Sequence, residues 1–148
     1  MKGFDQVVWA GEAIPTGEFA PVTDTPMDFT QPVAIGARIN DNFEDLKIGD
    51  GYDHCWVLRK SAGTDAVRTV AILHDPKSGR VMEMLTNQSG VQFYSGNFLD
   101  GDPSEFRTAL CLETQCYPDS PNKTEFPDSI LRPGETYHHS LVLRFSTK

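Results

Sequence analysis

The chain has 148 residues, with 13 basic and 21 acidic side chains, a formal net charge of −8 and a sequence pI near 4.8. That length supports one domain with its own core, and the acidic balance, with no basic cluster to offset it, argues against nucleic-acid binding. Apolar runs of a few residues fall far short of a membrane span, and Met1-Lys2-Gly3-Phe4 leads into Asp5 and Gln6, unlike a secretory signal.

Along the chain, Pro15, Pro21, Pro26 and Pro32 punctuate a stretch with few apolar runs, which reads as extended loop. Residues Asn40 to Lys47 suit one short helix capped by Asn40 or Asp41. The remainder alternates short Val-, Leu-, Phe- and Tyr-rich runs with Gly and Pro. Strands are predicted over His54–Lys60, Val67–His74, Arg80–Thr86, Val91–Ser95, Ala109–Gln115 and Thr136–Phe145. Asp75-Pro76-Lys77-Ser78-Gly79 reads as a hairpin turn between the second and third of these. In the last strand Tyr137, His139, Leu141, Leu143 and Phe145 share a face, with Ser140 and Arg144 opposite, so it is expected half-buried. No repeat or linker divides the sequence. An all-β chain folding as an antiparallel β-sandwich, or part of one, follows.

Cys55, Cys111 and Cys116 form no CxxC pair, which fits a reducing cytoplasm. Each is expected to pack as a small buried hydrophobe. His54 and His74 fall on strands, and His138 and His139 are adjacent. No HExxH or HxxxH spacing supports a metal, and no GxSxG elbow supports a serine nucleophile.

Three places concentrate side chains suited to chemistry. In Leu110-Cys111-Leu112-Glu113-Thr114-Gln115, alternation puts Cys111, Glu113 and Gln115 on one face and Leu110, Leu112 and Thr114 on the other. If the leucines pack inward, Glu113 faces whatever the sheet encloses; partly desolvated, it suits a general base, while a salt bridge to Arg107 or another arginine is the alternative. In Gly49-Asp50-Gly51-Tyr52-Asp53-His54 the glycines turn the chain just before a strand, leaving Asp53 at its mouth. There it can grip vicinal hydroxyls or cap a turn. In Gly90-Val91-Gln92-Phe93-Tyr94 the Gln92 amide lies on the face opposite Phe93, and its donors and acceptor suit sugar recognition. Tyr94, Phe98, Trp9 and Trp56 are candidates to stack on a pyranose ring, or to pack in the core.

Five ordered segments carry a family resemblance: IPTGEFAPVTDTPMDF (Ile14–Phe29), GYDH and the following strand (Gly51–Leu58), GVQFYSGNFLDG (Gly90–Gly101), LCLETQCYPDSPN (Leu110–Asn122) and FPDSILRPGETYHH (Phe126–His139). With these the chain resembles the aldose 1-epimerases (galactose mutarotases), over the carboxyl-terminal half only. The resemblance implies a supersandwich of antiparallel strands, here incomplete, with residues 1–148 forming a single partial domain. It implies interconversion of α and β anomers of an aldose such as glucose or galactose, with no cofactor. Glu113 then falls on the general base, and Asp53 and Gln92 on sugar-contacting positions.

The family's general-acid histidine, in an NHxYFNL-like segment, and its substrate-gripping arginine have no counterpart here. The chain is therefore expected to be a poor enzyme unless another polypeptide supplies the missing half, or to self-associate through the uncovered sheet. A monosaccharide is the expected ligand, with no nucleic acid or membrane as partner and a cytoplasmic setting. The alternative is a non-catalytic carbohydrate-binding fragment.

Overall fold

The computed structural model describes residues 3–10, 14–59, 66–102 and 105–148, the first stretch by its backbone. Strands β1 (Gly3–Ala10), β2 (Ile14–Pro21), β3 (Asp53–Leu58), β6 (Gly90–Tyr94) and β7 (Cys111–Gln115) form one sheet in the order β2-β1-β3-β6-β7. Strands β4 (Arg68–His74), β5 (Arg80–Thr86) and β8 (Leu141–Thr147) form a second, in the order β4-β5-β8. Every pairing is antiparallel. The predicted all-β class and the strands around residues 54–60, 67–74, 80–86, 91–95 and 109–115 are observed, with ends shifted by at most two residues.

The amino-terminal stretch departs from expectation. Ile14–Pro21 is a strand, although the prolines read as loop. As β2 lies at the sheet edge, a missing proline N–H need not break a ladder on both sides. Helix α1 (Glu44–Ile48) starts later than predicted, and its N-cap is Phe43, without a side-chain cap bond. Two tight turns, Asp41 N–H to Arg38 O (3.0 Å) and Phe43 N–H to Asp41 O (2.8 Å), delay it. The Asn40 side chain is engaged instead by Arg107 Nη1, at 2.9 Å.

The core lies on the face of the larger sheet that carries Trp56, Val91 and Phe93. Trp56, Tyr52 and Phe93 are buried and pack with Phe29; Tyr52 and Phe93 stack at 5.3 Å between centroids, and Phe29 meets Tyr52 edge-on at 5.1 Å. Aromatic area of this kind dominates core energetics. The irregular segment after β2 closes over it. Trp56 Nε1 donates to Met27 O (3.0 Å) and Tyr52 Oη to Pro26 O (3.1 Å), so both buried polar groups are satisfied. From the smaller sheet, Val70, Ala71 and Met84 complete this core.

The predicted hairpin turn is present between β4 and β5. Asp75 Oδ1 accepts the Lys77 N–H (3.1 Å) and Oδ2 the Ser78 N–H (3.3 Å), while Gly79, at φ +72°, donates its N–H to Asp75 O (2.8 Å). A hydrogen bond from the Ser78 hydroxyl to Oδ2, with those from the Lys77 and Ser78 N–H groups, holds the Asp75 carboxyl below its ordinary pKa.

Beside this hairpin, Arg68 binds three carbonyls. Its Nε donates to Arg59 O (2.8 Å), Nη1 to Thr86 O (3.1 Å) and Nη2 to Gln88 O (3.0 Å). One guanidinium thus joins the chain leaving β3 to the chain entering β6. Next to it the Leu58 N–H meets Ser89 O at 2.8 Å.

The last strand corrects the sequence reading. It spans Leu141–Thr147, and all its residues are exposed. Ahead of it the Asn87 amide stands in for a strand partner, donating to His138 O (3.1 Å) and accepting the Ser140 N–H (2.9 Å), so Tyr137 and His139 lie outside the ladder. Leu141, Leu143 and Phe145 share one side, but Phe145 remains 73% exposed. β8 is an edge strand paired only with β5, and among the described residues no segment covers that side.

Candidate active site

Two successive residues with positive φ, Asp50 (48°) and Gly51 (127°), turn the chain into β3 and set Asp53 at its first position. β6 brings Gln92 and Tyr94, and β7 brings Glu113 and Gln115. In register, Gln92 is directly opposite Glu113, and Asp53 is opposite Tyr94. Alternation places these side chains on the face away from Trp56 and Phe93. Together with Phe98 and Pro118 they line one open cleft of about 460 Å³, within the range of about 300–1,000 Å³ usual for small-molecule sites.

Hydrogen bonds order its floor. Gln92 Nε2 donates to Asp53 Oδ1 at 2.8 Å, and Gln115 Nε2 makes a long 3.5 Å contact to Gln92 Oε1. The amide between them is thereby oriented, with its nitrogen toward the carboxylate. Asp53 is not a turn cap; its backbone N–H donates to His54 Nδ1 at 3.0 Å, and its carboxylate faces the cleft.

The cleft wall depends on the segment after β7. Tyr117 and Phe126 are buried with Cys55, and Phe19 meets their rings at 5.5 and 5.2 Å. Gly90 allows this approach, because a Cβ there would lie 2.9 Å from Cys55 Sγ and 3.1 Å from Tyr117 Cδ1. Burial pushes the Cys55 thiol up to about 12, so it stays protonated beneath the cleft. Burial was expected of all three cysteines, but Cys116 is half-buried and Cys111 exposed.

Glu113 was expected to be partly desolvated, and it is exposed. β7 is the outer strand of its sheet, with a neighbour on one side only. The leucines do pack inward: Leu110 and Leu112 lie against the core. Arg107 does not pair with Glu113, since its guanidinium binds Asn40 Oδ1 and Asp50 O, both at 2.9 Å. Of the suggested stacking aromatics, Tyr94 and Phe98 line the cleft, whereas Trp56 is a core residue. The Trp9 side chain lies outside the described ones.

Among the described residues, no histidine lines the cleft. His54 points to the core side, where burial pushes its pKa down to about 4, against a smaller opposing effect of a hydrogen bond with the Asp45 backbone. His139 Nε2 lies 2.8 Å from Thr114 Oγ1, on the face of β7 opposite Glu113. Gln115 and Pro118 were not singled out from the sequence; the alternation that paired Gln115 with Glu113 was the available signal. Among the described residues, no group of three or more His, Cys, Asp or Glu side chains is placed to hold a metal ion. No helix among them is long and apolar enough to cross a membrane.

The fold is that of galactose-mutarotase-like sandwiches. An aldose epimerase homologue from C. elegans superposes with a TM-score of 0.80 at 27% identity, covering 99% of this chain and 44% of that one. Galactose 1-epimerase from Lactobacillus acidophilus has the same fold, with a TM-score of 0.84 at 20% identity over 99% of this chain and 42% of its own. In sequence, the chain is 42% identical over 140 residues to human galactose mutarotase, covering 90% of this chain and 39% of that protein. It is 34% identical over 132 residues to aldose 1-epimerase of Escherichia coli, covering 84% and 37%. The profile of the aldose 1-epimerase family matches residues 5–144, and the chain belongs to that family. It spans about two fifths of the length of these curated relatives.

Proposed function

We propose that this chain carries the base-bearing part of an aldose 1-epimerase site, acting on a monosaccharide such as glucose or galactose. The observation that carries the reading is the convergence of Asp53, Gln92 and Glu113 on one cleft from three neighbouring strands. Asp53 accepts hydrogen bonds from sugar hydroxyls through the lone pairs that Gln92 leaves open, and Gln92 offers its second N–H. Glu113 removes the proton from the C1 hydroxyl. A general acid donates a proton to the ring oxygen as the bond from C1 to that oxygen breaks. Rotation about C1–C2 and reclosure on the opposite face then give the other anomer.

Among the described residues no histidine faces the cleft, so the acid in this proposal comes from polypeptide outside residues 1–148, equivalent to the rest of a relative's length. Its docking surface is the uncovered side of the smaller sheet, where Leu143 and Phe145 are exposed. The chain is accordingly one partial domain of the complete sandwich. Proton NMR of α-galactose anomerisation tests the reading, with this chain alone and with the complementary segment of a relative added. Acceleration over buffer by the pair, lost in Glu113→Gln, is the expected result. No acceleration by the pair, or an unchanged rate in the variant, overturns it.

The exposure of Glu113 favours a second reading for the chain by itself, that of a carbohydrate-binding fragment without turnover. Saturable sugar binding without anomerisation distinguishes it.

A further inference from the structure

Phe98 is 66% exposed, yet the chain around it is tightly determined. Its neighbour Asn97 is buried, with Nδ2 donating to Gly49 O (2.8 Å) and Tyr52 O (3.0 Å), and Oδ1 lying 2.7 Å from Ser95 Oγ. Gly96 turns the chain at φ +75°, where a Cβ would lie 2.5 Å from Ala109 O. Tyr94 then fixes Phe98 twice. Its hydroxyl oxygen accepts the Phe98 N–H at 2.8 Å, and the two rings stack at 6.1 Å with planes 17° apart.

A buried amide and a phenol hydroxyl therefore hold one large apolar ring partly in water. It stands at the edge of a cleft whose other lining is largely polar. An apolar plane beside convergent hydrogen-bonding groups is the arrangement that binds a molecule with one polar edge and one C–H face. Trp56, the larger aromatic of β3, is buried on the other side of the sheet and does not serve this purpose.

We propose that Phe98, seated on Tyr94, is a stacking platform for the C–H face of a neutral aldopyranose whose hydroxyls are held by Asp53 and Gln92. The proposal rests on the sugar-cleft reading above and adds a specificity element to it. The platform favours pyranoses that turn several C–H bonds to one side, as an axial C4 hydroxyl does for the hydrogens on C3, C4 and C5. It disfavours a charged or hydroxyl-bearing face.

Proton NMR titration of the whole chain with methyl β-D-galactopyranoside, which cannot anomerise, tests it. The expected result is an upfield ring-current shift of the H3, H4 and H5 signals on binding. In Phe98→Ala that shift is lost and affinity falls about five- to tenfold; Phe98→Trp restores both. Undiminished affinity in Phe98→Ala, with weakened binding in Asp53→Ala, overturns the platform and leaves the cleft reading standing. A lowered melting temperature in Phe98→Ala with affinity unchanged likewise overturns it, making the ring a packing residue. No binding by the wild-type chain, or equal binding by wild type, Asp53→Ala and Gln92→Ala, overturns both readings.

Discussion

Gln92 donates to Asp53 across the β3–β6 boundary at 2.8 Å, while on its other side it stands directly opposite Glu113. One neutral amide thus separates two carboxylates on the strands that flank β6 and gives one of them a donor. This relationship sets the polarity of the whole cleft.

Replacing that amide by an acid is therefore expected to be more damaging than removing it. Gln92→Glu puts a carboxylate against Asp53 and opposite Glu113, where like charges repel. Gln92→Leu leaves Asp53 without its donor, a loss of about 1.5–3 kcal/mol for a hydrogen bond to a charged group. Isothermal titration with methyl β-D-galactopyranoside should show binding weakened about tenfold or more in the leucine variant and further in the glutamate variant.

Glu113→Gln keeps the shape of the β7 side chain and removes the base. Sugar affinity should change little, whereas any anomerisation by the reconstituted pair should fall about 10²–10⁴-fold. Polarimetry and titration on the same preparation separate the two effects.

His54 predicts a pH dependence of stability. Its pKa is about 4 in the folded chain against an ordinary 6.5. Below pH 6.5 the unfolded chain takes up a proton that the folded chain refuses, so stability falls as pH drops from 6.5 toward 4. The loss from this group amounts to about 3 kcal/mol and levels off below pH 4, where both states are protonated. Urea unfolding across that range should show a steeper decline in wild type than in His54→Gln.

Gly90→Ala tests the wall of the cleft. Its Cβ would clash with Cys55 Sγ at 2.9 Å and press on Tyr117 Cδ1 at 3.1 Å, both beneath or beside the site. A destabilisation of about 1–3 kcal/mol is expected from the overpacking, with weakened sugar binding because Pro118 follows Tyr117. Thermal melts and titration report the two consequences.

Thiol labelling gives a check on the fold. In the native chain iodoacetamide should modify exposed Cys111 first and leave Cys55 untouched until unfolding, since that thiol is buried and stays protonated. Mass spectrometry of peptides from native and urea-treated samples reads the order.

Much of this was legible in the sequence because strands impose a period of two. That period placed Glu113 and Gln115 together and put Gln92 opposite Phe93, while the glycine turn before β3 set Asp53 at a strand mouth. It failed where position in the sheet mattered more than composition. β2 carries Pro15 and Pro21 yet forms a strand because it is at an edge, and Glu113 is exposed because β7 is at the other edge. The face of β8 read as half-buried for the same reason in reverse: its pattern prepares it for a cover that no described residue supplies. Phe98 and Trp56 were equal candidates for stacking, and only the tertiary fold separates them, one into the cleft and one into the core.

The clasp of Arg68 bears on how variable this architecture can be. Since Leu58 and Ser89 already meet, residues 59–88 amount to a long excursion whose ends are fastened together before the cleft begins. The entropy of closing such an excursion rises only as about (3/2)RT ln n, so doubling its length adds about 0.6 kcal/mol. The β4–β5 hairpin can lengthen, shorten or exchange its tip while Asp53 and Gln92 keep their spacing. Tolerance to insertion should therefore be high at the Asp75–Gly79 turn and low within the few residues that Arg68 binds.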